Sequence, residues 1–154
     1  MVPVALLADK LRAVVVGGGT IGTRKARTFL DAGARVSVIA ISMSEELSSL
    51  ASSNDRLTIE KRAYRDESDL ENADIVIAAT ESVEVNSRIA RDAERLHRLV
   101  SVVNAPAEGS FTSMAIHRSE NLTIGVSAGR APRDAMRVRD AIADRFAELA
   151  GDSV

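Results

Sequence analysis

The stretch VVVGGGTIGTRKA, residues 14–26, decides the fold because it places a glycine pattern directly between a strand and a helix. After three apolar residues of strand character, Gly17, Gly19 and Gly22 have the spacing G-x-G-x-x-G. In this pattern the first glycine allows a tight turn, and the second lets the backbone approach a pyrophosphate. The third permits close packing of helix on strand. Because the start of the helix also offers free N–H groups to phosphates, the stretch predicts a dinucleotide-binding βαβ unit.

The composition fits a globular protein and excludes several functions. The chain has 154 residues, 45% of them hydrophobic and 27% charged, with a net charge of −2. This length suits one compact domain, or one domain with a small appendage. The small net charge argues against a nucleic-acid partner. The absence of cysteine excludes disulfides, thiol catalysis and cysteine-bound metals. Apolar runs are too short to span a membrane, and the N-terminus lacks a secretion signal, so we expect a cytoplasmic protein.

Strand-like runs alternate with helical patterns as far as residue 103. The predicted strands cover residues 13–17, 35–40, 57–62, 73–79 and 99–103, and the predicted helices cover residues 20–31, 44–51 and 85–96. Such alternation is typical of an α/β fold with a parallel sheet, here a Rossmann-type sheet.

The pattern changes after residue 111. Two runs with period-2 patterning, residues 112–118 and 122–128, are joined by a short connection without a helix, which predicts an antiparallel hairpin. A helix is predicted over residues 132–149. We therefore expect a nucleotide-binding domain over residues 1–111 and a hairpin-helix region over residues 112–154.

The carboxyl ends of the parallel strands are the expected ligand site. Thr80 and Asn86 follow the fourth strand and are placed to contact cofactor or substrate, although Asn86 is also compatible with a simple helix-turn role. The second strand ends in VIAIS, residues 38–42, without the carboxylate that often binds a ribose. Ser42 is the candidate for that hydrogen bond, or else a loop or capping serine, so NAD and NADP both stay open.

Two further segments offer polar side chains. Arg24 and Lys25 lie in the first turns of the first helix, where they reach phosphate or an anionic substrate, or form a solvated helix face. In SVVNAPAEGSF, residues 101–111, a strand runs into a loop with Asn104 at its tip. An amide cannot exchange a proton near neutral pH, so this tip carries no acid or base.

These motifs, in this order, resemble the precorrin-2 dehydrogenase family, the NAD-dependent module of siroheme synthases. The likeness rests on the glycine stretch with its Arg-Lys pair, on AATESVEVN (residues 78–86), on VVNAPAEGSF (residues 102–111) and on LTIGVSAGRAP (residues 122–132). It covers nearly the whole chain.

The resemblance implies NAD as cofactor and removal of two hydrogens from precorrin-2 to give sirohydrochlorin. It also implies a Rossmann domain followed by a dimerisation region, and hence a homodimer. In bifunctional members the position of Asn104 is an aspartate, the main candidate for acid–base and metal-insertion work. Asn104, with Ala128 where a serine is usual, argues against iron chelation more than against hydride transfer. The same two residues favour an alternative, a catalytically silent NAD-binding sensor or assembly protein.

Together the patterns and the resemblance predict three groups of site residues and no metal ligand. Asn104 is the predicted catalytic residue. The predicted cofactor-binding residues are Gly17, Gly18, Gly19, Thr20, Ile21, Gly22, Ser42, Thr80 and Asn86, and the predicted substrate-binding residues are Arg24, Lys25, Ser110, Phe111 and Arg130.

Overall fold

The computed structural model describes residues 1–119, 122–129 and 131–151, with side chains as far as residue 146. The chain divides into two compact units, Met1–Phe111 and Thr112–Val154. The first contains a parallel sheet with helices and the second an antiparallel hairpin with a helix. The predicted fold class is therefore confirmed.

Five parallel strands form the sheet of the first unit, in the order β3-β2-β1-β4-β5. The chain runs through β1 (Arg12–Gly18), α1 (Thr20–Asp31), β2 (Arg35–Met43), α2 (Glu45–Ser53), β3 (Leu57–Glu60), β4 (Ile75–Ala78), α3 (Val83–Arg95) and β5 (Leu99–Val102). Since β1 pairs with β2 on one side and β4 on the other, the strand order reverses beside β1. Ligands bind at such a switch point in open α/β sheets.

Both faces of β1 are buried, as a parallel sheet requires. Val15 belongs to a cluster on the α1 and α2 side that includes Ala26, Leu30 and Leu47. Val14 and Val16 belong to a second cluster with Ile89 of α3, with Val76 and Ala78 of β4 and with Val100 and Val102 of β5. The core around β1 is thus aliphatic.

Serine caps set the starts of two helices. The Ser44 hydroxyl accepts a hydrogen bond from the Leu47 N–H at 3.1 Å and begins α2. The Ser82 hydroxyl accepts one from the Val85 N–H at 3.2 Å, so α3 begins at Val83, two residues earlier than the prediction. Because a capping side chain satisfies N–H groups that lack a partner within the helix, these residues end the loops that follow β2 and β4.

The second unit consists of β6 (Ala115–Arg118), β7 (Thr123–Val126) and α4 (Pro132–Gly151). The two strands pair antiparallel, with His117 opposite Ile124. Alternate residues of each strand are half-buried and exposed, which matches a hairpin covered on one face. Among the described helices, none has both the length and the apolar character needed to cross a lipid bilayer.

Candidate functional site

The glycine turn between β1 and α1 has room for side chains at only one of its three motif positions. Gly17 has φ +120°, and a Cβ there would lie 2.3 Å from the Ala79 carbonyl oxygen. A Cβ on Gly22 would lie 2.0 Å from the Gly17 carbonyl oxygen. A Cβ on Gly19, by contrast, would meet no heavy atom within 4 Å. The backbone at Gly19 therefore faces open space, and the protein itself does not require a glycine there.

That open space lies at the start of α1. Gly19 is the N-cap residue and offers no side chain to the first turn. The first N–H groups of an α-helix have no acceptor within the helix, and together with the helix dipole they attract anions. The turn and the helix start thus form an arrangement suited to a pyrophosphate.

The turn is also held from the side of α2. The Ser44 N–H donates to the Gly18 carbonyl oxygen at 3.0 Å. The Thr23 hydroxyl, which is buried, lies 2.9 Å from the Ser44 hydroxyl. A Cβ on Gly18 would come within 2.4 Å of the Ser42 carbonyl oxygen. These contacts join the ends of β1 and β2, so the predicted ribose candidate, Ser42, belongs to the exposed end of β2 itself rather than to a loop.

Three polar residues form a hydrogen-bonded network at the ends of β4 and β5. The Asn86 Oδ1 accepts from the Thr80 N–H at 3.0 Å, and the Thr80 hydroxyl lies 2.7 Å from the same atom. The Asn86 Nδ2 donates to the Thr80 carbonyl oxygen at 2.9 Å and to the Asn104 Oδ1 at 2.9 Å. Asn86 is 0% exposed, whereas Asn104 is exposed. The predicted cofactor contact, Asn86, is thus saturated by protein atoms, and a ligand would meet Thr80 and Asn104 instead.

The predicted basic residues of α1 differ in their surroundings. Arg24 is exposed, and Lys25 is half-buried. Burial, and to a smaller extent the neighbouring charge of Arg24, lowers the pKa of the Lys25 ammonium. The predicted backbone contacts Thr20 and Ile21 occupy the exposed first turn of the same helix.

Two of the predicted substrate contacts are placed differently from the expectation. The Ser110 hydroxyl accepts from the Val100 N–H at 2.8 Å, and the Ser110 N–H donates to the Val100 carbonyl oxygen at 2.8 Å. Phe111 packs, partly buried, against the hydrophobic cluster that contains Val15. The chain folds back along β5 after Asn104, so these side chains serve the fold, and their placement gives no support to a substrate contact. Arg130, the remaining predicted contact, lies outside the described residues.

The sequence interpretation missed two exposed apolar residues at this edge of the sheet. Ile41 near the end of β2 is 72% exposed, and Val83 at the start of α3 is 55% exposed. With Ile21, which is 41% exposed, they offer apolar surface at the carboxyl ends of the strands. One indication of this surface was present in the sequence. Ile41 follows the buried part of β2, so its side chain could not be expected to pack in the core.

A second groove runs along β1, β2 and β3 on the face of the sheet that carries Val14 and Ile39. It has a volume of about 350 Å³, and its lining includes Arg12, Arg35, Ser37, Thr58 and Arg62. Arg62 is already paired with Asp69 at 2.7 Å. None of the residues that line this groove belongs to the glycine turn. In the described part of the chain, no three His, Cys, Asp or Glu side chains are grouped closely enough to hold a metal ion.

Comparison with known proteins agrees with this geometry. A family model described as putative NAD(P)-binding matches residues 4–115, which include the glycine turn and the amide network. The chain belongs to this NAD(P)-binding family.

Curated relatives of this chain are siroheme synthases. The siroheme synthase of Saccharophagus degradans is 44% identical over 128 residues, which are 82% of this chain and 27% of that protein. The siroheme synthase of Pseudomonas entomophila is 37% identical over 145 residues, 91% of this chain and 31% of that protein. The chain thus spans between a quarter and a third of the length of these relatives.

A solved structure is similar over most of both chains. It is SirC, a precorrin-2 dehydrogenase, which matches with a TM-score of 0.80 and 26% identity over 94% of this chain and 71% of its own. With the siroheme synthase relatives, this confirms the predicted membership of the precorrin-2 dehydrogenase family.

Proposed function

We propose that this chain is an NAD-dependent dehydrogenase module that oxidises precorrin-2 to sirohydrochlorin. The substrate loses two hydrogens, one as a hydride to NAD⁺ and one as a proton to solvent, leaving NADH. The observation that carries the proposal is the likeness to SirC over 94% of the chain. The glycine turn supports the cofactor part, because Gly19 leaves open space beside the start of α1.

The residues at the carboxyl ends of the strands suggest where each part of NAD would bind. The pyrophosphate would lie over Gly17, Gly18 and Gly19, with Thr20, Ile21 and Gly22 beginning the helix that faces it. Ser42 would be the nearest hydroxyl to the adenosine ribose, and Ile41 would contact the adenine. The nicotinamide half would then extend over β4 and β5, towards Thr80 and Asn104.

The nicotinamide supplies the hydride chemistry, so the protein needs to bind, orient and exclude water rather than to transfer a proton itself. The network of Thr80, Asn86 and Asn104 contains no group that titrates near neutral pH, which suits this role. Arg24 and Lys25 are proposed to attract the carboxylates of the tetrapyrrole. Insertion of a metal is not part of the proposal, because the tip of β5 presents an amide.

The test is anaerobic incubation of the purified chain with NAD⁺ and freshly prepared precorrin-2, following NADH by its absorbance. Formation of NADH and of the sirohydrochlorin spectrum in equal amounts is the expected result. Binding of NAD⁺ in calorimetry without any turnover would overturn the dehydrogenase proposal. That outcome would favour the second candidate, a silent NAD-binding protein, for which Asn104 at the tip of β5 is the motivating observation.

We further propose that the second unit forms a homodimer. Several large apolar side chains of this unit are exposed, each by 39–46%, namely Ile116, Met136, Val138, Ile142 and Phe146. Among its described residues only Ala135 is a buried hydrophobic residue. A unit this small with so little core of its own needs a further surface to pack against. The cytoplasmic location stays a prediction.

A further inference from the structure

The groove along β1, β2 and β3 lies beside a strand connection that contains no α-helix. Residues 61–74, which connect β3 to β4 and are all described, contain only a short 3-10 turn, Glu67–Leu70. On the groove face of the sheet the Ser37 and Thr58 hydroxyls lie 3.0 Å apart and form a hydrogen bond, whereas Val36 packs into the cluster on the other face. Polar side chains thus occupy a surface that a parallel sheet ordinarily buries.

Three arginines lie side by side at the starts of the strands that form this groove. Arg12 is the first residue of β1 and the register partner of Arg35, the first residue of β2. Arg56 directly precedes β3 and is level with Arg35, because Val36 pairs with Leu57. All three arginines line the groove. Since neighbouring strands are about 4.8 Å apart, this arginine row spans about 10 Å of the sheet.

Two members of the arginine row have no carboxylate partner in the described part of the chain. Arg12 is paired with Asp74 at 3.4 Å. Neither Arg35 nor Arg56 forms such an ion pair, and the Arg56 guanidinium donates to the Gly33 carbonyl oxygen at 3.3 Å. Like charges on opposite residues of neighbouring strands repel and destabilise a sheet. The row therefore costs stability in the free protein, and the fold gives no reason for it.

Most of the other charged residues of the groove neutralise one another. Arg62 pairs with Glu60 and with Asp69, each at 2.7 Å, and Arg65 pairs with Asp69 at 2.9 Å. Asp55 also lines the groove, and among the described residues it forms no ion pair. The lining as a whole carries five arginines and three carboxylates. Its positive excess therefore lies at the arginine row.

We propose that this groove binds the oxyanion of a small molecule, a phosphate or carboxylate group, through the guanidinium groups of Arg35 and Arg56. A guanidinium group matches both anions because it presents paired N–H donors to two oxygens. The Ser37 and Thr58 hydroxyls, two residues further along the same strands, offer hydrogen bonds to the rest of the ligand. The volume of about 350 Å³ fits a small molecule, since ligand pockets range from about 300 to 1,000 Å³.

This site does not depend on the proposed function. Its lining contains no residue of the glycine turn and none of the network of Thr80, Asn86 and Asn104. Failure of the dehydrogenase assay would therefore leave the inference standing, and failure of anion binding in the groove would leave the proposed function standing.

A site-resolved titration tests the location of binding. The ¹⁵N-labelled chain is titrated to millimolar concentration with sodium citrate, which presents carboxylates, and separately with sodium pyrophosphate, which presents phosphates. We expect at least one of the two anions to shift the backbone amide signals of residues 35–37 and 56–58, and the effective anion identifies the class of ligand. The amides of Thr20 and Ile21 report any binding at the glycine turn. Shifts confined to the glycine turn, or no shifts with either anion, would overturn the proposal.

Substitutions test the assigned arginines. We expect Arg35→Gln and Arg56→Gln each to weaken the affinity for the effective anion about tenfold or more. Asp55→Asn should strengthen the affinity, because it removes a carboxylate from the same lining. Arg91→Gln removes the same charge from an exposed position of α3, and as the matched control it should change the affinity less than about twofold. Wild-type affinity in both Arg35→Gln and Arg56→Gln would contradict the inference.

Urea unfolding separates ligand binding from a structural role of Arg35. Without anion, the unfolding midpoint of Arg35→Gln should equal or exceed that of the wild-type protein, because the repulsion from Arg12 is relieved. With the effective anion, the wild-type midpoint should rise, and this rise should be absent in Arg35→Gln. A midpoint of Arg35→Gln that is already lower without anion would assign Arg35 to the fold and contradict the inference.

Discussion

At the scale of single residues, the three motif glycines are required for different reasons. Gly17 and Gly22 are required by the protein, since a side chain at either position would overlap a backbone carbonyl group. A Cβ on Gly19 would meet no heavy atom within 4 Å, so the packing of the protein does not require a glycine there, whereas a bound pyrophosphate would. The glycine motif therefore combines two requirements: Gly17 and Gly22 are needed for folding, and Gly19 is needed for binding.

Substitution of Gly19 should separate binding from folding. We expect Gly19→Ala to weaken NAD⁺ binding about tenfold or more, a loss of about 1.4 kcal/mol, because its methyl group would occupy the space for the pyrophosphate. Its free energy of unfolding should fall by only about 1 kcal/mol, since alanine is a poorer N-cap residue than glycine but its methyl group meets no heavy atom within 4 Å. Calorimetry with NAD⁺ and urea unfolding measure the two quantities.

Gly17→Ala is the contrasting variant. Its φ of +120° and the overlap with the Ala79 carbonyl oxygen should lower the free energy of unfolding by about 2 kcal/mol or more. Wild-type NAD⁺ affinity in Gly19→Ala would contradict the proposed position of the pyrophosphate.

At the scale of the elements, an ion-pair cluster joins the end of β3 to the segment before β4. The side chain of Asp69 is 0% exposed and accepts from the Arg62 guanidinium at 2.7 and 2.8 Å and from the Arg65 N–H at 2.9 Å. Burial alone would raise the pKa of Asp69, but the hydrogen bonds from Arg62 and Arg65 outweigh it and hold this pKa at about 2. The cluster therefore ties the segment before β4 to the end of β3.

This pKa predicts a pH-dependent contribution to stability. The folded-state pKa of Asp69 lies below the ordinary value near 4, so the stabilisation is fully present above about pH 4 and is lost as the pH falls towards 2. At pH 7 we expect Asp69→Asn to lower the free energy of unfolding by roughly 2 to 3 kcal/mol, because it leaves Arg62 with less compensation. The difference from wild type should shrink from pH 4 downwards in urea titrations.

Asp55→Asn serves as the control, because Asp55 is exposed and makes no ion pair in the described chain. It should have little effect at either pH. The assigned role of Asp69 would be contradicted if the free energies of unfolding of the wild-type protein and of Asp69→Asn differed by the same amount at pH 7 and at pH 2.5.

The end of α3 gives a second prediction at this scale. His97 has φ +55°, its N–H donates to the Glu94 carbonyl oxygen, and the Arg98 N–H donates to the Ala93 carbonyl oxygen. This is a Schellman cap with a histidine where glycine is favoured. We expect His97→Gly to raise the free energy of unfolding by about 0.5 to 1 kcal/mol, because the left-handed conformation costs a side-chain-bearing residue more.

Glu94→Gly tests whether the gain is specific to that conformation. It places the same residue inside α3 and should destabilise the protein by about 1 kcal/mol. If His97→Gly also destabilised the protein in thermal or urea unfolding, the histidine would have a contact that outweighs its backbone strain.

At the scale of the whole molecule, the two units differ in how much core they possess. The first contains two aliphatic clusters around its sheet. In the second, α4 packs against the hairpin but leaves Val138, Ile142 and Phe146 exposed along one side. The spacing of four residues places these three side chains on a continuous stripe.

Substitution in the stripe should abolish the proposed dimer. We expect Ile142→Glu to give a monomeric mass in light scattering at micromolar concentration, where the wild-type protein gives a dimeric mass, because a charge in an apolar interface must be desolvated. Arg133→Glu, at an exposed position on the opposite side of α4, should leave the dimer intact. A monomeric wild-type protein would contradict the dimer proposal, whereas NAD⁺ binding by Ile142→Glu would show that the first unit stays folded.

The sequence by itself determined the class of fold and the position of the cofactor turn. Strand character, helical spacing and the three glycines are local properties, so they predicted α1 at its observed bounds and the glycine turn beside it. Asn104 was likewise identified as the tip of β5, because a polar residue follows the buried run directly.

Only the tertiary structure determined the roles of the side chains that follow the ends of β4 and β5. Asn86 is buried and saturated, Ser110 bonds to the Val100 backbone, and Phe111 packs against the core. Each of these roles depends on a partner distant in sequence, which strand order and packing bring into contact and which no local pattern encodes. The hydrogen bond between Asn86 and Asn104, which lie 18 positions apart, belongs to the same group, because it exists only in the folded sheet.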